Sequence, residues 1–206
     1  MLRGIAIAMI IGAAIIGVYY ILAPQLSQLS VEEELSKALG QIQSGLTYDK
    51  FVNMVDSQRN ALIQKMPQKT IDLILEQARK LPTTVSESIQ DMASKLGSNS
   101  QSVVYSKQGS FVGLEGNDAK GKAIIIVAGK AAFLRFQDFE VTNGPDLHVY
   151  ITTGDDISSG IDLGKLKGSI GDQNYDLRSG VDLKTYDTVV IYSQPFQIHF
   201  AMAKLA

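Results

Sequence analysis

His148 and His199 are the only two histidines in this chain of 206 residues, and no cysteine accompanies them. The missing thiols exclude disulfides, thiolate metal sites, lipid attachment through cysteine and any thiol redox step. What remains is narrow. The two imidazoles, with the Asp146 carboxylate beside the first, are the groups to which a metal ion or haem iron would bind as a cofactor. Two histidines on strands more often sit at the surface or half-buried without a ligand, so the sequence requires no cofactor. Asp155, Asp156 and Asp162, in a stretch with Ser158, Ser159 and Gly160, offer the oxygen atoms that calcium takes. Their spacing departs from the EF-hand loop and fits a solvated acidic loop better.

Ser193 is the serine to weigh as a nucleophile, and its base would be one of the two histidines. If a two-residue loop joins the last two strands, either Val190 or Tyr192 pairs with His199, and in both cases Ser193 has the other parity and points to the opposite face. No Gly-X-Ser-X-Gly turn surrounds it. A Ser193–His199 dyad therefore fails on geometry. Gly116-Asn117-Asp118 with Gly121 lacks phosphate-loop spacing and a following helix, and reads as a hairpin turn. The charge balance, 19 basic against 21 acidic residues, gives a net charge of −2. No segment has the basic surplus of a nucleic-acid-binding surface.

These residues are carried by three kinds of sequence. Residues 4–23 form an uncharged, almost wholly apolar run ended by Pro24, long enough at about 1.5 Å per residue to span about 30 Å of hydrocarbon. A cleaved signal peptide is the rival reading, but its apolar core is usually shorter. Arg3 precedes the run and Glu32, Glu33 and Glu34 follow it, so an uncleaved anchor over residues 1–24 keeps the N-terminus cytoplasmic and the rest outside. Residues 25–97 show helical periodicity and predict a stalk or small bundle. Its first helix starts at Ser30 with Val31, Leu35, Leu39 and Ile42 as its stripe. A second runs from Thr47 toward Met66, burying Phe51, Val55 and Leu62, and a third covers about Gln68 to Leu81. A fourth follows Pro82, capped by Thr83 or Thr84, with Val85, Ile89, Met92 and Leu96 on one face. Short helices need a partner surface, which is the outer domain, each other, or a second subunit through a heptad-like seam. The helical region is thus the expected place for protein partners or self-association.

A polar linker at 98–102 precedes a change to β periodicity over 103–206. Lys122 to Ala128 reads as a strand covered on both faces, and Gln137-Asp138 marks a bulge in the next. Leu147, Val149 and Ile151 share one face, leaving His148 and Tyr150 on the other. Thr188 to Ser193 and Phe196 to Ala203 are the last two strands. The fold class is α+β overall: an N-terminal transmembrane helix, a short helical stalk or bundle, and a C-terminal antiparallel β-sandwich.

The β half carries short pieces in a fixed order: Gly109-Ser110-Phe111, Leu134-Arg135-Phe136 with Phe139, and the corner Asn143-Gly144-Pro145-Asp146-Leu147 running into His148-Val149-Tyr150. Then come Leu163 to Gly168, Gly171 to Tyr175, Tyr186, Val189-Val190-Ile191 and Phe196 to Phe200. In this order they resemble the DM-thirteen, or electron-transfer DM, domain. The resemblance covers about residues 103–206 and implies a β-sandwich of secreted or membrane-anchored proteins. The family typically has Trp-Cys where this chain has Tyr192-Ser193, and the electron-transfer role proposed for it rests on that cysteine. Serine has neither a thiolate nor a reversible oxidation ladder. The expectation is a membrane-anchored extracytoplasmic binding or assembly module that is not an enzyme. The alternative is an accessory electron-transfer protein using a bound metal or haem.

Overall fold

The computed structural model describes residues 32–97, 103–129, 131–177 and 181–206. The apolar run at residues 4–23 and the polar linker lie outside these residues. Among the described residues no helix is long and apolar enough to cross a membrane.

Two antiparallel sheets make up the C-terminal half. The first has the order β1-β3-β4-β7, from β1 (Val103–Ser110), β3 (Ala119–Ala128), β4 (Ala131–Val141) and β7 (Gln173–Leu177). The second has the order β2-β9-β8-β5-β6, from β2 (Val112–Gly113), β5 (Leu147–Thr152), β6 (Ile161–Lys165), β8 (Thr188–Ser193) and β9 (Ile198–Lys204). Alternation decides what they share. Ala123, Ile125, Leu134 and Phe136 from the first sheet and Val149, Ile151, Val189 and Ile191 from the second meet in one buried cluster. The bulge falls where expected: Lys120 pairs with Glu140 but Lys122 with Gln137, and Asp138 between them has φ +50°. Gly121 opposite is required there, since a Cβ would lie 2.5 Å from the Asp138 carbonyl oxygen.

The helical half is α1 (residues 32–42), α2 (Tyr48–Val52), α3 (Asp56–Ile63), α4 (Gln68–Arg79) and α5 (Ile89–Lys95). Leu35, Leu39, Phe51 and Ile74 form the centre of its core. The single helix expected from Thr47 to Met66 is two. Thr47 does cap α2, accepting from the Lys50 amide at 3.3 Å, but the chain turns at Asn53 and restarts after Val55, which is 66% exposed rather than buried.

The fourth helix also starts later than its periodicity suggests. Thr83 and Thr84 cap nothing; Ser88 caps α5, accepting from the Asp91 amide at 3.1 Å. The preceding segment is held along the first sheet, with the Val85 amide on the Ile170 carbonyl and the Glu87 amide on the Asp172 carbonyl, both at 2.9 Å. Backbone groups that find partners on a neighbouring segment have no need of a helix, and helix propensity is weak enough to yield. α5 then lays Met92 and Ala93 over Ile124, Ile126 and Phe133, the outward residues of the first sheet. Phe196, expected at the start of the last strand, sits instead in the turn between β8 and β9. There its ring meets Phe51 edge-on, with centroids 6.4 Å apart.

Candidate functional site: a charged corner beside an aromatic sheet face

The corner between β4 and β5 is where helices, sheets and family motif converge. Asn143 donates its side-chain amide to the carbonyl oxygens of Ala78 at 3.0 Å and Leu81 at 2.7 Å. These carbonyls lie at the C-terminal end of α4, where the helix ladder runs out; Ala78 also accepts from the Leu81 amide at 3.1 Å. Gly144 leaves no room for a side chain, since a Cβ would lie 2.3 Å from the Phe200 ring. The Pro145 carbonyl accepts from the fully buried Ser193 hydroxyl at 2.8 Å. Asp146 takes φ +52°, a conformation that aspartate tolerates better than most residues.

Asp146 meets two cations and a histidine ring. Arg59 of α3, 1% exposed, lies 2.5 Å from Oδ2, and Lys165 of β6 lies 3.0 Å from Oδ1. The His148 ring is 3.7 Å from Oδ1, too far for a hydrogen bond but close enough for charge to matter. Burial alone would raise the Asp146 carboxyl; the His148 ring, Lys165 and Arg59 outweigh it and hold it down to about 2. Arg59 also donates to the carbonyls of Val52 and Met54, at 3.1 and 3.3 Å, and pairs with Asp56 at 2.7 Å. This one guanidinium ties two turns of the helical half to the β-sandwich.

His148 Nδ1 lies 2.9 Å from Asp162 Oδ2. Asp146 is the main reason its ring is held above the ordinary imidazole value; burial opposes this, and Asp162 adds to it. Outward from the corner, strand register places His148 beside Tyr192 and Tyr192 beside His199. Tyr192 and His199 have ring centroids 4.7 Å apart, Tyr150 and Tyr192 6.1 Å, and His148 and Tyr150 6.4 Å. His199 Nδ1 is 3.0 Å from Glu115 Oε1. Burial, with Asp162 second, pushes the Tyr150 hydroxyl up to about 12. A row of aromatic and imidazole rings, bordered by Glu115 and Asp162, thus crosses the outer face of the second sheet.

The predicted residues separate into distinct surroundings. Ser193 points inward to Pro145 while His199 faces outward to Glu115, so the two do not meet. Of the acidic loop, Asp156 caps a single 3-10 turn (Ile157–Ser159), accepting from the Ser158 amide at 2.9 Å and the Ser159 hydroxyl at 3.0 Å. Asp162 turns instead to His148 and to the Gly164 amide, and among the described residues Asp155 has no side-chain hydrogen-bond partner. Among the described residues no three His, Asp or Glu side chains are grouped to hold a metal ion. Asp146 and His148 do lie together, but both Asp146 oxygens already face cations and His148 Nδ1 faces a carboxylate. A metal there would displace Arg59 or Lys165, so this donor set does not fit one.

Arg59 escaped sequence reading because nothing in its local pattern marks it, and Lys165, though inside the piece Leu163 to Gly168, was given no role. Arg135 did carry a signal, a charge inside the apolar run Phe133 to Phe136. It is 6% exposed and pairs with Asp172, while donating to the Glu87 carbonyl and to Asn174, each at 3.0 Å. Like the corner, it uses motif residues to hold the chain that precedes the sandwich.

Comparison with known families agrees with the motif reading. The family model described as Electron transfer DM13 matches residues 110–205, which takes in β2 to β9 and none of the helices. No curated protein and no solved structure matches the chain.

Proposed function

We propose, taking the match of residues 110–205 to the electron transfer DM13 family as the premise, that this chain is a membrane-anchored extracytoplasmic protein. Its β-sandwich serves as a binding and assembly module and performs no thiol chemistry. The observation that carries this reading is the occupation of the motif corner. Asn143, Asp146 and Ser193 all spend their polar atoms inside the chain, on α4, Arg59 and Pro145. Ser193 stands at the family's cysteine position with its hydroxyl buried and hydrogen-bonded, so neither its chemistry nor its access suits electron transfer. What remains partly exposed is the row of Tyr192, His199 and His148, with Tyr150 buried beside them. Aromatic side chains with polar tips are the type enriched where proteins bind proteins. The anchor rests on the uncharged run at residues 4–23, with Arg3 before it and three glutamates after it.

The test uses the intact chain purified in detergent. Metal analysis, an absorption spectrum and voltammetry should return no stoichiometric metal, no haem band and no redox wave. Proteins that co-purify with it should be lost with Tyr192→Ser, and a C-terminal label should be reachable only from outside the cell. A label reachable from the cytoplasm overturns the topology.

The family's description favours a second reading, electron transfer through a bound metal or haem. A stoichiometric metal or haem lost with His148→Ala or His199→Ala would establish it and displace the first.

A further inference from the structure

Asn143-Gly144 is the only Asn-Gly pair in the chain, and it lies where the helical half is fastened to the sandwich. We infer that Asn143 is a site of spontaneous deamidation whose product cannot hold α4, so that the reaction converts a reversible opening of the helical half into a permanent one.

The chemistry needs only water. The Gly144 backbone nitrogen attacks Asn143 Cγ, a new N–C bond closes a five-membered succinimide, and the side-chain nitrogen leaves as ammonia. Water then opens the ring at one of its two carbonyls, giving aspartate or isoaspartate. Glycine as the following residue favours this step because no Cβ crowds the attacking nitrogen and the backbone reaches unusual conformations easily.

In the docked state the reaction is held back by the same contacts that make the site matter. Both donors of the side-chain amide are engaged, on Ala78 and Leu81, which fixes the orientation of Cγ. Gly144 is packed against the Phe200 ring, and the next residue's carbonyl is pinned by Ser193, so the local backbone cannot swing toward the side chain. Release of α4 removes the two amide hydrogen bonds and leaves the Asn143 side chain free to find the Gly144 nitrogen.

The product fails at the same contacts. A carboxylate has no hydrogen to donate, and it would face two carbonyl oxygens at the negative end of α4. Isoaspartate adds a backbone atom at a turn that must bring Ser193 to Pro145. Either product removes the Asn143 hydrogen bonds to the carbonyls of Ala78 and Leu81.

The test follows the full chain over time in mildly alkaline buffer. Peptide mass spectrometry and isoaspartate detection read Asn143, and hydrogen exchange reads α4. Asn143 should deamidate more slowly in the native chain than in the denatured chain, and Arg59→Ala, which loosens the docking, should raise the native rate toward the denatured one. Chains that have reacted should lose protection in α4 by about tenfold or more, and Asn143→Asp should show the same loss from the outset. Should either variant fail to fold, the time course of the unmodified chain still decides. Acid or isoaspartate accumulating at Asn143 while α4 keeps its full protection overturns the inference, as does a native rate equal to the denatured one.

Discussion

Outward-pointing residues of the two sheets have opposite fates. On the four-stranded sheet Ile124, Ile126 and Phe133 lie under Met92 and Ala93 of α5, and Arg135 reaches out to bind the segment that leads into that helix. On the five-stranded sheet the comparable positions are His148, Tyr192 and His199, half-buried among themselves and bordered by Glu115 and Asp162. The first face is apolar and roofed by the chain's own helix; the second is amphipathic, with His148, Tyr192 and His199 partly exposed beside the buried Tyr150 and Val190. A surface that carries rings with polar tips has no need of a roof to stay soluble. The contrast therefore gives one face to the chain's own packing and leaves the other to the recognition role proposed above.

The largest expected effect is on the roofed face. Phe133→Ala empties a fully buried site between α5 and the sheet and should cost about 3–5 kcal/mol, read from denaturant unfolding. Met92→Ala removes the roof's side of the same contact and should cost about 2–3 kcal/mol. A cost near zero for both would mean that α5 does not rest on the sheet.

A smaller effect comes from the corner that joins the helical half to the open sheet. The Asp146 carboxyl titrates at about 2 when folded and near the usual carboxylate value, about 4, when unfolded. Because the folded value is the lower one, its contribution is complete above about pH 4 and is lost as pH falls toward 2. The unfolding midpoint should drop across that window, and Asp146→Asn should flatten the drop. Identical slopes for both chains would remove Asp146 from the account. His148 has the opposite sign: its raised value contributes below the ordinary imidazole range, and that contribution fades as pH rises through the folded value.

Least should happen at the rim of the open face. Val112, 60% exposed on the short edge strand beside β9, should tolerate Val112→Ser within about 0.5 kcal/mol. A loss comparable to that of Met92→Ala would show that both faces are structural and would dissolve the contrast.

Much of the sandwich was legible because burial writes itself into alternation. Leu147, Val149 and Ile151 are buried in the shared core as their spacing demands, and the bulge at Asp138 announced itself as two polar residues within a strand. The segment from Thr83 to Ser88 misled because Val85, Ile89, Met92 and Leu96 are spaced for a helix. The competing attraction, the carbonyls of Ile170 and Asp172, lies far along the chain and leaves no local trace. At the corner, sequence put Asp146 beside His148 and marked them as the groups a metal or haem would take if one were bound, while requiring none. It missed that Arg59, 87 positions away, claims the same carboxylate. Long-range charge pairs of this kind are fixed by folding as a whole, whereas periodicity records only neighbours.

The grip of Arg135 and Asp172 on the segment before α5 has a mechanical meaning. Glu87 is held by the backbone of Asp172, by Arg135 through its carbonyl and by Lys167 through its carboxylate, at 2.9, 3.0 and 2.8 Å. A pull applied at the start of α1 is thus transferred into the sandwich at Asn143, Asp146 and Asp172 before it can reach the polar residues 98–102. The two halves are fastened together upstream in the chain, so tension applied there is felt first by the corner.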